Sequence, residues 1–317
     1  MSHSPAPEHQ LPVTPAPAAG TLPPLLIRQI TTCVRILQIG PGSDITRQLA
    51  ALSGDTPFRS VQPDLAGVES VRATLGPCSR NRSLVDIHIG DLAHGRPDQA
   101  PYDLIVSTVP VKGIPRAWLG QLAKGGALAV PLALAGRHPW VVAENRRSGL
   151  RARLLTEGAD YWPVPVAGPL YPEGGDTPAS RPSLPAPDPG TRRLSAVGAL
   201  REDQWADLWA YLAIHHPDLV TVARVDGRRH WGQTIALVDG RHAVYVRPDG
   251  LWATSDRRRA KLLADQAEKA ILHWGWAHRP RLPWWVAELA HATESAGGLL
   301  LPDRWHIDRI RVEYPAC

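Results

Sequence analysis

Short apolar runs alternate with amphipathic segments from about residue 34 onward, and this alternation organises the first half of the chain. A continuous apolar run is typical of a strand in a parallel sheet that is covered on both faces. The segment 34–39 is such a run, and further strands are predicted over 58–62, 85–91, 102–109 and 127–134. The segments with helical spacing between them are 44–52, 65–75 and 114–122, the last followed by a glycine pair that predicts a helix end. Strands and helices in alternation predict a doubly wound α/β sheet.

The pattern changes in the second half of the chain. Two apolar segments beginning at Pro139 and Leu150 predict a closing antiparallel pair, and a Pro/Gly/Ser-rich stretch follows. Beyond it we predict a helix over 201–216, strands joined by turns at Asp239-Gly240 and Pro248–Gly250, a helix that Ser255 caps, and a final strand over 304–315. The predicted division is a Pro-rich tail, a nucleotide-binding-type domain, a linker and an α+β extension, over 1–24, 25–168, 169–195 and 196–317.

Composition narrows the choice of function classes. The net charge of +5 and the pI of about 9.4 allow an acidic partner, but no nucleic-acid-binding motif accompanies them, so we do not favour a nucleic-acid partner. Three cysteines without metal-like spacing fit a reducing compartment, and no histidine group has the spacing of metal ligands, so we expect no metal. We find neither a secretory signal nor a run of roughly 18 apolar residues, and we predict a cytoplasmic protein without a membrane span.

Candidate ligand-binding residues follow the predicted strands, where the carboxyl ends of a parallel sheet meet. The first turn reads GPGSD, and Gly40 and Gly42 would let backbone N–H groups approach a ligand. The second strand ends at Gln62, where a ribose-binding group is expected, and the third ends at Gly90-Asp91, where a carboxylate could accept an adenine amino group. Ser107 and Thr108 end the fourth strand and face the reacting centre. A purely structural turn remains open for the glycines, as does simple turn capping for the two hydroxyls.

The segment from 90 to 134 resembles the protein-L-isoaspartate (D-aspartate) O-methyltransferase family. The resemblance is carried by PYDLIVST, IPRAWLGQL and GGALAVPLAL, with GADYWPVPVAG at 158–168 similar to the family's last strand, and it covers about 34 to 168. It implies a Rossmann-like class I methyltransferase sheet that binds S-adenosylmethionine. The cofactor-binding positions would be Gln38, Gly40, Gly42, Asp44, Gln62, Gly90 and Asp91.

Three of these positions depart from the family pattern. Gln38 and Gln62 stand where the family usually has acids, and Asp44 stands where it has a glycine. A neutral amide binds a hydroxyl more weakly than a carboxylate does, and Asp44 could either cap the helix or repel the carboxylate of the methyl donor. Weakened or lost cofactor binding is therefore an open alternative.

The resemblance implies a peptide or protein substrate with an Asp or isoaspartate side chain, which Ser107 and Thr108 would position. The long C-terminal region is similar in organisation to relatives that act in graspetide and lanthipeptide maturation, where a methyl ester can close to an aspartimide, and it would recognise the peptide. A biosynthetic partner enzyme then becomes a candidate partner. The alternatives are a catalytically weakened protein of this fold that binds a peptide or an enzyme and, with less support, a nucleic-acid methyltransferase.

Overall fold

The computed structural model describes residues 22, 26–27, 30, 32–41, 44–54, 56, 58–76, 85–111, 113–132, 138–146, 149–155, 186–193, 200–215, 220–224, 233–247, 249–255, 257–292 and 304–312. The strands in chain order are β1 (Ile36–Ile39), β2 (Phe58–Gln62), β3 (Val85–Ile89), β4 (Tyr102–Ser107), β5 (Ile114–Pro115), β6 (Leu122–Pro131), β7 (Trp140–Arg146), β8 (Gly149–Leu155), β9 (Val220–Arg224), β10 (Gln233–Asp239), β11 (His242–Arg247), β12 (Gly250–Ala253), β13 (Trp285–Ala292) and β14 (Arg304–Val312). The α-helices are α1 (Asp44–Ser53), α2 (Leu65–Leu75), α3 (Arg116–Gly120), α4 (Glu202–His215) and α5 (Arg258–Trp276).

The apolar strands form the predicted parallel sheet. Strands β3, β2, β1, β4 and β6 lie side by side in this order and pair in parallel, which confirms the mixed α/β fold. Apolar side chains of β1 alternate between two core clusters, because Ile36 faces α1 and α2 whereas Leu37 and Ile39 face the opposite side. Both faces of the sheet are therefore covered at β1, as its apolar run predicts.

Strands β6, β7 and β8 continue the sheet in antiparallel fashion, so the predicted closing pair is confirmed. The sheet does not end there: β13 pairs with β8, β14 with β13, and β5 with β14. Yet β5 follows β4 after only residues 108–113, a connection that reaches at most ~25 Å. The antiparallel half must therefore curve until its last strand returns to the neighbourhood of β4.

A second, four-stranded antiparallel sheet has the order β12-β11-β10-β9. Helix α5 packs on it through one apolar face, and α4 contributes Trp205, Leu208, Trp209 and Leu212 to the same core. Helix α4 also contacts the large sheet, since buried Asp207 accepts a hydrogen bond of 3.0 Å from the Leu282 N–H just before β13. The residues after 196 thus build both a sheet of their own and two strands of the large one.

Two local predictions are wrong. The helix predicted over 114–122 is limited to Arg116–Gly120, because Ile114 and Pro115 pair with β14 and Leu122 already pairs with β4. The glycines expected to stop it lie inside β6, where Gly125 has a φ of +83°. Ser255 does not cap the last helix: the N-cap position of α5 is Arg257, without a side-chain cap.

The domain division stays a prediction, and the tail 1–21 and residues 158–168 lie outside the described residues. None of the helices described is both long and apolar enough to cross a membrane.

Candidate functional site

The carboxyl ends of β1, β2 and β4 lie next to one another. Ile39 is in register with Val61 on one side and with Ser107 on the other. The residues that follow these positions, Gly40, Gln62 and Thr108, are therefore neighbours at one edge of the sheet. The structure brings together here four of the predicted site positions: Gln38, Gly40, Gln62 and Thr108.

The turn after β1 needs glycine at its first position. Gly40 has a φ of +105°, and a Cβ at this position would lie 2.6 Å from Thr108 Oγ1 and 3.0 Å from Val109 Cγ1. A side chain would meet both a strained backbone and a filled space. The Gly40 N–H donates to the Val61 carbonyl at 3.1 Å, which ties the turn to β2.

Two glutamine amides converge on the carbonyl oxygen of Gly40. Gln62 Nε2 donates to it at 2.6 Å and Gln38 Nε2 at 3.1 Å, and Gln62 Nε2 also contacts Ser60 Oγ at 2.7 Å. A carbonyl only accepts, so the nitrogen of each amide must face it. Both side chains are fully buried. We call this arrangement the amide clamp, formed by Gln38, Gln62 and the Gly40 carbonyl.

The oxygens of the amide clamp have no hydrogen-bond donor in the part of the chain that the structure describes. Gln38 Oε1 and Gln62 Oε1 are buried, and the structure gives neither of them a hydrogen-bond partner among its described residues. Leaving a buried acceptor without a donor costs about 1–3 kcal/mol. The site therefore offers two acceptors that a ligand carrying hydroxyl or ammonium groups, or a water molecule, could complete.

Asp44 begins α1 and forms an ion pair with Arg47, one turn later in the helix. Its carboxylate is placed favourably at the positive end of the helix dipole, and Arg47 balances its charge. Gly42 lies outside the described residues.

Gly90 and Asp91 follow β3. The Gly90 N–H donates to the Gln62 carbonyl at 2.9 Å, and the Asp91 carboxylate accepts from the Ala93 N–H at 2.8 Å. Asp91 is exposed and stabilises its own turn through this contact. Binding of an adenine group by Asp91 remains a prediction.

The hydroxyls of Ser107 and Thr108 are buried and bonded to the backbone. Ser107 Oγ donates to the Val109 carbonyl at 2.7 Å and accepts from its N–H at 3.2 Å. Thr108 Oγ1 lies 3.0 Å from the Pro41 carbonyl and 3.2 Å from that of Ile39, and can donate to either. These are the contacts of turn capping, the reading left open by the sequence. A role of either hydroxyl in holding a substrate remains a prediction.

Sequence reasoning missed two residues of this site. Ser60 supports the Gln62 amide from the same face of β2, and a Cβ on Gly67 would lie 2.7 Å from Gln62 Oε1. Buried polar residues two apart on a strand and a glycine in the first turn of a helix were the available signals. Ser60 thus holds the Gln62 amide in place, and Gly67 leaves room for it.

No reactive thiol is found at the start of β1. Burial, followed by the negative charge of Asp103, raises the pKa of the Cys33 thiol to about 11. The thiol is therefore protonated at neutral pH and is not a nucleophile. Among the described residues, no three of the side-chain types His, Cys, Asp and Glu are grouped as a metal site.

Comparisons with known proteins bear on this region. Residues 18–166 match the sequence model of the protein-L-isoaspartate (D-aspartate) O-methyltransferase family. A relative from Anaeromyxobacter sp., named protein-L-isoaspartate O-methyltransferase 1, is 35% identical over 107 residues, which are 33% of this chain and 49% of the relative. One from Halorhodospira halophila is 29% identical over 135 residues, covering 41% of this chain and 57% of the relative. The family model and these relatives support this family for the N-terminal region, although the chain spans only about half the length of the relatives it matches.

Two solved structures are similar. One protein-L-isoaspartate O-methyltransferase superposes with a TM-score of 0.40 at 18% identity, covering 83% of this chain and 77% of the other. A putative enzyme of the same type from Plasmodium falciparum, crystallised with S-adenosyl-L-homocysteine, gives a TM-score of 0.36 at 14% identity, with 42% and 66% of the two chains covered.

Proposed function

We propose that this chain is an S-adenosylmethionine-dependent O-methyltransferase that methylates a side-chain carboxylate of Asp or isoaspartate in a peptide or protein. The observation that carries the proposal is the family match over residues 18–166, which contains all five parallel strands and every predicted site residue. The relatives support methyl transfer to a carboxylate as the class of reaction, but they do not identify a particular substrate.

The residues at the glycine turn fit the methyl donor in one specific respect. S-adenosylmethionine offers ribose hydroxyls and an ammonium group, and the amide clamp has two buried acceptor oxygens for which the described residues supply no donor. Gln38 and Gln62 would hold these groups as neutral acceptors, in place of carboxylates. When bound, S-adenosylmethionine supplies a methyl group that its sulfonium already activates.

The chain itself would then contribute position and the exclusion of water rather than proton transfer. A carboxylate substrate is ionised at neutral pH and needs no base. Thr108 and Ser107 fix the backbone that follows β4, and Gly40 lets it approach β1 closely. Rigid placement of this kind is the main source of rate in a simple displacement. Ser107 and Thr108 are positioning residues in this proposal.

The finer part of the proposal is maturation of a ribosomally made peptide natural product. The methyl ester of an Asp side chain can be attacked by the following backbone nitrogen: the new C–N bond closes an aspartimide ring, the C–O bond of the ester breaks, and the methoxide leaves as methanol with the proton of that nitrogen. The support for it is the long region after residue 168, which the family match does not cover. A biosynthetic partner enzyme belongs to this finer proposal.

Calorimetric titration of the purified chain with S-adenosylhomocysteine tests the cofactor. We expect at least micromolar binding and a thermal shift, and the absence of both would overturn the proposal. Thr108→Val removes a hydroxyl bonded to the turn and should weaken binding. Thr74→Val is the matched control, because the Thr74 hydroxyl donates to the Ser70 carbonyl within its own helix, away from the glycine turn.

Transfer is tested with labelled methyl donor and three synthetic peptides of one sequence, containing isoaspartate, Asp or Asn at one position. Base-labile label on either carboxylate peptide, and none on the Asn peptide, is expected. Label that resists base would indicate a different acceptor.

A second candidate function, binding of a peptide or enzyme without catalysis, is favoured by the hydrogen bonds at the turn after β1. Its polar groups are bonded to other groups of the same chain. The Gly40 carbonyl is engaged by two amides, Asp44 by Arg47, and both strand-end hydroxyls by backbone. A protein of this fold that binds a peptide or enzyme without catalysis would show such a closed turn. Peptide binding without any S-adenosylhomocysteine binding would identify this second function.

A further inference from the structure

Five cationic side chains lie together on the surface of the C-terminal unit. Four belong to the start of α5 and are exposed, and the fifth is the exposed arginine of the β10–β11 turn. We call the set the basic patch; it consists of Arg241, Arg257, Arg258, Arg259 and Lys261.

A specific contact joins the two parts of the basic patch. Arg259 Nε lies 3.3 Å from Asp239 Oδ2, and Asp239 pairs with His242 at the end of the β10–β11 hairpin. Arg241 is in the two-residue turn between them, so it lies beside the first turn of α5. Two acidic residues lie next to the basic patch in the sequence: Asp239, before the hairpin turn, and Asp256, directly before Arg257. The patch and these neighbours together carry five positive and two negative charges.

The arrangement does not stabilise the helix that carries it. Helix α5 has no acidic residue in its first turn, and cations at this end oppose the helix dipole. Repulsion between neighbouring cations adds to the cost. The helix is held instead by its buried face, which consists of Ala260, Leu263, Ala264, Ala267, Ala270, Ile271 and Trp274. A surface feature that weakens its own element is expected where the charge serves a partner.

An apolar residue beside the charges bears on the kind of partner. Leu262 is 58% exposed and follows Arg258 by four residues, so the two lie on the same side of α5. A nucleic-acid backbone would meet the charges but leave Leu262 without a contact. A peptide can offer carboxylates and an apolar side chain together.

We propose that the basic patch binds an acidic segment of the peptide substrate that also carries an apolar side chain, at a distance from the residue to be methylated. This inference rests on the proposed function for the identity of the peptide as substrate. Binding at the patch does not depend on the methyl donor.

Fluorescence anisotropy of the full chain with labelled peptides tests the proposal. One peptide alternates Glu and Asp with Leu, and a second replaces every acid by its amide. We expect the acidic peptide to bind and the amide peptide not to bind at low salt, with affinity falling as salt increases. A labelled oligothymidylate of matched charge is the third probe, and tighter binding of it would overturn the proposal in favour of nucleic acid.

The variant R257Q/R258Q/K261Q should weaken acidic-peptide binding about tenfold, since three exposed cation contacts each contribute a few-fold. The matched control R35Q/R72Q/K124Q removes the same charge from exposed positions outside the C-terminal region and should change binding less than twofold. Equal losses in both variants would mean that net charge alone attracts the peptide, which overturns the proposal. Leu262→Ser should weaken binding about threefold, and no effect would contradict the apolar contact.

The two proposals fail separately. In the patch variant, S-adenosylhomocysteine binding and methylation of a short isoaspartyl peptide without an acidic segment should be unchanged. Selective peptide binding without cofactor binding would remove the proposed function and keep the patch as a peptide site.

Discussion

Replacing Gln62 by glutamate tests whether this side chain is needed as a hydrogen-bond donor to the Gly40 carbonyl. If it is not, a carboxylate at this position should be tolerated equally well. The Gln62 amide donates to the Gly40 carbonyl at 2.6 Å in a fully buried place. An ionised carboxylate cannot donate, and at this distance it would repel the carbonyl oxygen. The loss of the hydrogen bond and the burial of an unpaired charge should together reduce the free energy of unfolding by about 3 kcal/mol at pH 7.

The same variant should recover stability in acid. Burial and the facing carbonyl raise the folded-state pKa of the introduced carboxyl above its unfolded value of about 4.3. The protonated form can donate to Gly40, so its stability relative to the wild-type chain is greatest below pH ~4.3 and falls as the pH rises through the folded-state pKa. The fall is at most about 1.4 kcal/mol for each pH unit.

Urea unfolding of the wild-type chain and the variant at several pH values between 4 and 7 measures this effect. Gln62→Met is the control: it removes the donor without adding charge, and should cost about 1 kcal/mol at every pH. Calorimetry with S-adenosylhomocysteine should show weaker binding by the glutamate variant. A variant as stable as the wild-type chain at pH 7, with tighter cofactor binding, would refute the amide clamp.

Three further predictions concern the frame of the site and the assembly of the chain. Gly40→Ala should lower the free energy of unfolding by about 2 kcal/mol or more in urea melts, whereas Gly54→Ala, also at positive φ but with open space around it, should cost about 1 kcal/mol. Trp285→Ala should cost about 3–5 kcal/mol, because this fully buried ring of β13 lies in the core of the large sheet; calorimetry of the wild-type chain should show one transition, and two well-separated ones would contradict a shared core. With the other two cysteines replaced by serine, Cys33 should react with iodoacetamide at pH 8 more than tenfold slower than a free thiol, because only about 10⁻³ of it is ionised at a pKa of about 11. The raised pKa stabilises the fold fully below about pH 9, and this contribution disappears as the pH rises through about 11.

The sequence predicted correctly those elements that neighbouring residues determine, such as capped helices and apolar strands. Helix α2 runs over Leu65–Leu75 as predicted, because Asp64 accepts a hydrogen bond from Gly67 N–H at its start and Gly76 follows its end. The strands β1 and β4 were recognisable because strands of a covered parallel sheet are mostly apolar, whereas β2, with the sequence FRSVQ, was placed by the helical segments on either side of it. The glycine turn was placed correctly for the same reason, since it must join β1 to α1.

Long-range pairing could not be read from the sequence. Helix α3 is short because the residues before it form β5, which pairs with β14, about 190 residues later in the sequence. Strand β13 was not predicted at all. Its sequence, WVAELAHA, has no clear alternation, and its partner β8 is more than 100 residues earlier. The amide clamp was also hidden, because a glutamine in a motif does not show whether it faces a ligand or a carbonyl of its own chain.

The pairing of β5 with β14 at the edge of the large sheet affects how the chain folds during synthesis. Strand β5 leaves the ribosome early, but its partner β14 follows about 190 residues later. Until then β8 has an open edge of unpaired backbone groups, which is the feature that promotes aggregation. Contacts so distant in sequence also slow folding. The chain therefore completes its largest sheet only after β14 has been synthesised, and a truncation before residue 285 should leave a protein that is captured by chaperones rather than a smaller folded protein.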